Sequence, residues 1–277
     1  MTIVDAHLHL WDATRIGISW FRPELGLPVV AAAEDYAHAA RDLDLRGAVA
    51  VQAADTVAEA LWLLDRAAEV AMPLAVVVQY EPAVERHGHW AGAMQATLTP
   101  DGTGASGVRL AAPSAASDLT DVVGLDALAA GLAHTGRPLD VLVRPDQLPA
   151  VGALADRHPD LAIILCHIGL GGGSADTAWR SALADLADRE RIAAKVSGLH
   201  PERRSAGELV DIVGHAASVF GPDRLMFGSD WPISARSLAL DELVGRVEEA
   251  LPREWGASQR ERFWHGNAQT RYAVPSS

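Results

Sequence analysis

The sequence is poor in cysteine and in positive charge. Only one of its 277 residues is a cysteine, Cys166, so a disulfide within the chain is excluded and a reducing compartment is expected. Lysine and arginine number 23 against 36 aspartates and glutamates, which gives a formal net charge of −13. Nucleic acids and anionic membrane surfaces bind concentrated positive charge, so we expect neither as a partner.

Long apolar runs and several familiar motifs are also missing. No uninterrupted apolar stretch reaches the roughly 18 residues of a membrane span, and the first residues do not resemble a secretory signal. There is no Gly-x-Ser-x-Gly elbow and no P-loop, and no Gly-x-Gly-x-x-Gly turn joins a predicted strand to a helix. These absences argue against serine-nucleophile, nucleotide and dinucleotide chemistry. We therefore expect a cytoplasmic protein that acts on a small molecule.

Short apolar runs alternate with amphipathic, alanine-rich segments along the whole chain, which is typical of a parallel α/β fold. The predicted strands are Ile3–Leu10, Gly47–Ala53, Leu74–Gln79, Ser106–Leu110, Leu139–Val143, Ala162–His167, Ile192–Ser197 and Leu225–Asp230. The predicted helices are Ala33–Leu43, Val57–Ala71, Val84–Gln95, Leu125–His134, Leu148–Arg157, Trp179–Asp188, Ala206–Phe220, Leu240–Ala250 and Ser258–Tyr272. Asp55-Thr56 and the spacing of Ser258 and Glu261 predict two helix starts. Eight strands predict a single-domain (β/α)8 TIM barrel over residues 1–277; a miscounted strand would favour a doubly wound sheet.

Reactive side chains end several of these strands. His7 and His9 lie two residues apart at the end of the first strand, so their side chains project to the same side. Asp230 ends the last strand, which neighbours the first in a closed barrel, and His167 ends the sixth. The carboxyl-terminal mouth of a barrel is where such residues converge. Three imidazoles and a carboxylate suit a divalent transition metal, so the sequence predicts that His7, His9, His167 and Asp230 form a metal site.

Four further residues are candidates for binding substrate. Arg109 ends the fourth strand and is either a forked donor to a substrate oxygen or half of a structural salt bridge. Arg144, just past the fifth strand, is a candidate second anion binder, and Gln52 ends the second strand. Trp231 either forms a pocket wall or packs under a helix.

Other polar residues receive no catalytic assignment. Lys195 either faces the helices or forms an ion pair within the barrel, and Cys166 is expected to be a buried structural thiol. The glycines at 171–173 either cradle an anion or form a flexible turn. The segments Asp12–Val30 and Gly169–Ser174, the second of which contains these glycines, are expected to form long loops on the carboxyl-terminal side. The remaining histidines are interpreted as surface or capping residues: His38, His87, His89, His134, His158, His200, His215 and His265.

The chain resembles the amidohydrolase superfamily, and within it the amidohydrolase 2 branch, which contains sugar lactonases and 2-pyrone-4,6-dicarboxylate lactonase. The stretches that carry the resemblance are Val-Asp-Ala-His-Leu-His-Leu-Trp-Asp at 4–12, Val-Gln at 51–52, Gly-Val-Arg at 107–109, His167 with Gly169, Lys-Val-Ser-Gly-Leu at 195–199, Arg-Leu-Met-Phe-Gly-Ser-Asp-Trp-Pro at 224–232 and Gly-Asn-Ala at 266–268. The resemblance covers nearly the whole chain and implies the barrel fold predicted above.

The resemblance also implies roles for individual residues. His7, His9, His167 and Asp230 would form the core of the site, and Arg109 would contact the substrate. Binuclear members of the superfamily use a carboxylated lysine on strand four and a histidine on strand five, and neither residue is present here. The resemblance therefore implies one divalent metal ion, zinc by preference, or a metal-independent enzyme. In this branch strand six commonly ends in Asp-His followed by Gly-x-Pro, whereas this chain has Cys-His and then the three glycines.

The expected activity is hydrolysis of a lactone of a sugar acid or of a related carboxylated ring. Asp230 would act as general base, and His167 and Arg109 would stabilise the oxyanion. The alternatives are a single-metal decarboxylase or hydratase of the same superfamily, and a non-catalytic barrel that binds a ligand. Neither the identity of the lactone nor a homo-oligomeric state can be read from the sequence.

Overall fold

Eight parallel strands form the framework of the protein. The computed structural model describes residues 1–80, 104–170, 173–200 and 203–275. Its strands are β1 (Thr2–Leu8), β2 (Trp11–Asp12), β3 (Val30–Ala31), β4 (Asp44–Val51), β5 (Leu74–Tyr80), β6 (Gly107–Ala111), β7 (Leu139–Leu142), β8 (Ile163–Leu165), β9 (Ile192–Val196) and β10 (Leu225–Phe227). All except β2 and β3, which pair with each other, belong to one sheet in the order β1-β4-β5-β6-β7-β8-β9-β10.

The sheet closes between its first and last strands. The chain just beyond β10 pairs with the end of β1: the N–H of Asp230 donates to the carbonyl of His7, and the N–H of His9 donates to the carbonyl of Trp231, both at 2.7 Å. A parallel bridge between Leu8 and Trp231 lies at the same place. The predicted (β/α)8 barrel is therefore confirmed.

Helices surround the barrel and bury one face of each strand. They are α1 (Ala33–Ala39), α2 (Val57–Glu69), α3 (Leu125–Thr135), α4 (Leu148–Arg157), α5 (Thr177–Ala187), α6 (Ala206–Phe220), α7 (Leu240–Ala250), α8 (Ala257–Glu261) and α9 (Asn267–Tyr272), with a π-helical turn between the last two. Three predicted helices match α4, α6 and α7 residue for residue. The predicted helix Val84–Gln95 lies outside the described residues. No described helix combines the length and apolarity that crossing a bilayer requires.

One predicted helix start is confirmed and the other is wrong. The Thr56 side chain accepts a hydrogen bond from the N–H of Glu59 at the start of α2. Ser258, by contrast, lies inside α8, because the N-cap is Gly256, two residues earlier. There the side chain of Gln259 accepts from the N–H of Gly256 at 2.8 Å.

Polar residues inside the barrel form a buried network. The Nζ atom of Lys195 lies 2.6 Å from one carboxylate oxygen of Asp140, and the other oxygen accepts from the hydroxyl of Tyr272 at 2.6 Å. Lys195 Nζ also lies 4.7 Å from the centroid of the Tyr272 ring. Of the two interpretations of Lys195, the ion pair within the barrel is therefore the one observed.

Several strands end earlier than predicted, and the reason lies in the backbone. Strands expected to reach Leu10, His167 and Asp230 end at Leu8, Leu165 and Phe227. His167 and Asp230 have φ angles of 54° and 57°, which extended strand does not allow. His167 and Asp230 therefore project from turns just past the strand ends, whereas His7 lies within β1 and Arg109 within β6.

Candidate active site

His7, His9 and Asp230 meet at the mouth of the barrel. The Nε2 atoms of the two histidines lie 3.2 Å apart. One carboxylate oxygen of Asp230 lies 3.7 Å from His7 Nε2 and 3.6 Å from His9 Nε2. All three residues are buried. The structure thus brings together residues that are more than 200 positions apart in the sequence.

A close packing of backbone against His7 makes this approach possible. A Cβ atom at Gly228 would lie 2.7 Å from the Cβ of His7, so only glycine fits at that position. The positive φ of Asp230 then turns its side chain at the end of the strand. Since Gly228, Ser229 and Asp230 follow one another, the Gly-Ser-Asp sequence is explained by the packing against β1.

His167 lies beside this cluster. Its ring centroid is 4.9 Å from that of His7, and its Nδ1 lies 2.8 Å from the hydroxyl oxygen of Ser197. Gly198 packs on the ring so closely that any side chain there would collide with it. Among the described residues the group of potential ligand atoms comprises His7, His9 and Asp230 only. His167, the fourth residue of the predicted metal site, therefore lies beside the other three, and its Nδ1 is paired with Ser197.

The geometry of the three residues fits a divalent cation. His9 Nδ1 lies 2.7 Å from the carbonyl oxygen of Val51, so Nδ1 carries the proton and the lone pair of Nε2 faces the cluster. Two ring nitrogens at 3.2 Å need a proton or a cation between them. The ligand atoms all lie within 4.8 Å of one another. Three protein ligands of this kind leave a coordination position open.

Burial and charge set the protonation of these groups. Burial, aided by the charges of Lys195 and His167, holds the pKa of His7 well below its ordinary value. Burial likewise lowers the pKa of His167 to about 4, although Asp230 opposes it. Burial acts to raise the pKa of Asp230, but the charge of His167 and the contact with His9 outweigh it, so this pKa is lowered. At neutral pH the site therefore holds neutral His7 and His167 beside an ionised carboxylate, the forms that bind metals.

Arg109 contributes a buried positive charge. Only 5% of the residue is exposed, and one of its terminal nitrogens donates to the Gln52 carbonyl at 2.5 Å and to the Gln79 side-chain oxygen at 2.7 Å. Its Nε atom is buried and has no hydrogen-bond partner among the described residues. The pKa of Arg109 is lowered by burial, but an arginine remains charged at neutral pH. Its observed partners are neutral oxygens, so the structural salt bridge considered for it does not form among the described residues.

The side chain of Gln52 makes hydrogen bonds to other residues of the protein. Its amide nitrogen donates to the carbonyls of Ala54 and Thr56 at 3.0 and 2.8 Å, and its oxygen accepts from the N–H of Gln79 at 2.7 Å. Gln52 contacts the site through its backbone carbonyl, which holds Arg109.

Arg144 and Trp231 also have partners within the protein. The guanidinium of Arg144 is bound to both carboxylate oxygens of Asp146 and to two backbone carbonyls. The ring of Trp231 lies 5.5 Å from that of Tyr36 on α1, and only 5% of the residue is exposed. For Trp231 the structure thus favours packing under a helix. Direct contact of either residue with substrate stays a prediction.

Three other sequence predictions concern residues near this site. Cys166 is buried, as predicted, and burial raises the pKa of its thiol to about 12. The glycines 171 and 172 lie outside the described residues. In the long loop after β1, the Trp20 indole nitrogen donates to the carbonyl of Ala53 at 2.8 Å, which docks this loop onto the mouth.

Sequence reasoning missed His200 and Asp5. His200, interpreted above as a surface histidine, lines the same cavity as Asp230, and its charge contributes to the lowered pKa of that carboxyl. The sequence feature that could have identified His200 is its position directly after the Ser-Gly-Leu turn that follows β9. Asp5 is fully buried and accepts hydrogen bonds from the N–H groups of His7 and Ser229 and from the Tyr36 hydroxyl. It holds the end of β1 against the Gly-Ser-Asp turn.

Comparison with known proteins shows the family of this chain. The amidohydrolase family model matches residues 4–273. The chain belongs to the amidohydrolase family. It is 32% identical to an L-fucono-1,5-lactonase of Burkholderia multivorans over 98% of this chain and 96% of that protein. The predictions of this family and of an enzyme are confirmed.

Solved structures of family members show the same architecture. An amidohydrolase from Burkholderia multivorans, solved with bound zinc, superimposes with a TM-score of 0.81 at 30% identity and covers 99% of this chain and all of that one. A putative 2-pyrone-4,6-dicarboxylic acid hydrolase from Pseudomonas putida has a TM-score of 0.74 at 20% identity, with 100% of this chain and 99% of that one covered. The second likeness shows the shared fold alone.

Proposed function

We propose that this amidohydrolase opens a lactone of a sugar acid by hydrolysis. The observation that carries the proposal is the meeting of an ionised carboxylate, Asp230, with a buried imidazole cluster in a barrel mouth that also holds the guanidinium of Arg109. The similarity to L-fucono-1,5-lactonases over nearly the whole chain supports the substrate class.

His7, His9 and Asp230 would hold one divalent metal ion. Two imidazole nitrogens and a carboxylate oxygen suit zinc, and the zinc-bound relative supports that choice. Bound there, the ion would supply Lewis acidity toward a carbonyl oxygen or a water molecule. Without a metal, the two histidines would instead hydrogen-bond to the substrate.

Asp230 acts as the general base. Its lowered pKa keeps the carboxylate ionised at neutral pH, so it takes one proton from the attacking water as the water oxygen bonds to the lactone carbonyl carbon. When the ring C–O bond breaks, Asp230 returns this proton to the leaving alkoxide. The product is a hydroxy acid, and the carboxylate of Asp230 is regenerated.

Arg109 and His167 stabilise the oxyanion. Arg109 brings a permanent charge into a buried site, where such a charge acts strongly, and its Nε has no partner in the described parts of the chain. If the Ser197 hydroxyl donates to His167 Nδ1, the proton of neutral His167 is on Nε2, where it can be donated to the substrate.

A panel of sugar lactones that includes L-fucono-1,5-lactone tests the proposal. Hydrolysis releases acid, which a pH indicator measures, whereas a decarboxylase releases carbon dioxide and a hydratase produces neither. Zinc per chain is measured on the same preparation. If no lactone of the panel releases acid and an aromatic or unsaturated acid releases carbon dioxide, the proposed lactonase activity is wrong and the enzyme is a decarboxylase.

We also infer a cytoplasmic location and a small-molecule substrate. The location is supported by the single, buried, unpaired cysteine.

A further inference from the structure

A buried glutamate that the proposed chemistry does not use lies next to the active site. Glu59 is in the first turn of α2 and is fully buried. Its two carboxylate oxygens accept hydrogen bonds from successive backbone N–H groups, those of Ala53 at 3.0 Å and Ala54 at 2.5 Å. These residues belong to the turn that follows β4, so Glu59 ties the start of the helix to the segment before it.

The last residue of β4 and the first residue after it hold two side chains of the site. The carbonyl of Gln52 accepts a hydrogen bond from Arg109 at 2.5 Å, and the carbonyl of Val51 lies 2.7 Å from His9 Nδ1. The position of these two carbonyls depends on the backbone that Glu59 holds. No described hydrogen bond joins Glu59 to Arg109 or His9, so Glu59 contacts them only through the turn, although the charges of Glu59 and Arg109 also attract each other.

Burying a charged side chain to make these contacts costs free energy. Burial raises the pKa of Glu59 to about 7, while the N–H groups of Ala53 and Ala54 and the charge of Arg109 act in the opposite direction. A glutamine would fill the same space without the charge. It would, however, offer one acceptor oxygen where the turn presents two donors, so one N–H would face an NH₂ group.

We propose that Glu59 is a positioning residue of the active site, which fixes the turn after β4 so that the Gln52 carbonyl holds the guanidinium of Arg109 toward the substrate. The proposal rests on the proposed function, because it assigns Arg109 a role in turnover. The competing explanation is that Glu59 only stabilises the beginning of α2, where an acidic residue interacts well with the helix dipole.

The variant Glu59→Gln separates the two explanations, with Glu208→Gln as the matched control. Glu208 occupies the same position in the first turn of α6 and accepts hydrogen bonds from the N–H and hydroxyl of Ser205, at an exposed site. With the lactone that the panel identifies, at pH 8, we expect Glu59→Gln to lower kcat about 10- to 100-fold, the range for a supporting contact of a catalytic group. Glu208→Gln should stay within about twofold of wild type.

A double variant shows whether the effect passes through Arg109. In an Arg109→Lys background the fork that the Gln52 carbonyl orients is gone, so adding Glu59→Gln should cost less than about threefold more. A full additional loss in that background, or an unchanged kcat in Glu59→Gln alone, would overturn the proposal. If Glu59→Gln does not fold, Glu59→Asp, which keeps the carboxylate on a shorter stem, takes its place with the same comparison.

The indole of Trp20 provides a readout that does not depend on turnover. It donates to the carbonyl of Ala53 within the turn, so its N–H resonance, assigned by Trp20→Phe, should shift in Glu59→Gln and not in Glu208→Gln. An unmoved resonance overturns the proposal even if no lactone is turned over. If the resonance shifts while wild type hydrolyses no lactone, the proposed function fails and the control of the turn by Glu59 stands.

Discussion

Replacing Asp230 by asparagine is the most direct test of the mechanism. Asparagine keeps the shape of the side chain but removes both the base and the negative charge next to His7 and His9, each 3.6–3.7 Å from the same carboxylate oxygen. Loss of a general base alone costs about 10²- to 10⁴-fold, which corresponds to roughly 3–5 kcal/mol of transition-state stabilisation. Since the same change weakens the predicted metal site, we expect kcat/KM to fall at least about 10³-fold.

The fold should survive this change. Barrel closure at this point depends on the backbone N–H of residue 230, which donates to the carbonyl of His7 and is the same in asparagine. Acid release from the lactone, the unfolding temperature and zinc per chain are measured on one preparation. Asp211→Asn, at an exposed position on α6, is the control. A folded Asp230→Asn enzyme that keeps more than a tenth of wild-type kcat/KM would refute the assignment of Asp230 as the base.

Three further predictions concern stability, pH and metal. Lys195→Met leaves Asp140 buried without its ion-pair partner and should lower the free energy of unfolding by about 3–5 kcal/mol in denaturant titration, whereas Asp126→Asn in an exposed pair should change it by less than about 1 kcal/mol. The pKa of Glu59 is about 7 in the folded chain against an ordinary value of 4.5, so the folded chain holds this proton to higher pH than the unfolded chain does. The free energy of unfolding should therefore fall by up to about 3 kcal/mol as pH rises from about 4.5 to about 7. If the free energy of unfolding of Glu59→Gln changed with pH in parallel with that of wild type over this window, the assignment would be contradicted. Dialysis against a chelator should abolish lactone hydrolysis and Zn²⁺ should restore it, whereas a metal-free preparation with full activity would show that His7 and His9 act without an ion.

Much of this protein follows from local sequence pattern. Apolar runs of strand length mark the eight strands because a parallel strand buried on both faces leaves few positions for polar side chains away from its ends. Polar residues at predicted strand ends were therefore candidates for the site, among them His7, His9, His167, Arg109 and Asp230. The resemblance to a family then assigned their roles. The absence of motifs for serine nucleophiles and nucleotides narrowed the chemistry further.

Only the tertiary structure decided how these residues are connected. Arg109 is oriented by a carbonyl and a glutamine 57 and 30 positions away, and Glu59 lies next to the site because its carboxylate binds the turn before its own helix. His200 could not be distinguished from a surface histidine until a positive φ and the turn after β9 brought it into the cavity of Asp230. The periodicity of a sequence records which side chains are buried. The conformation of turns and the partners they bring together depend on contacts between distant segments, and these contacts leave no periodic trace in the chain.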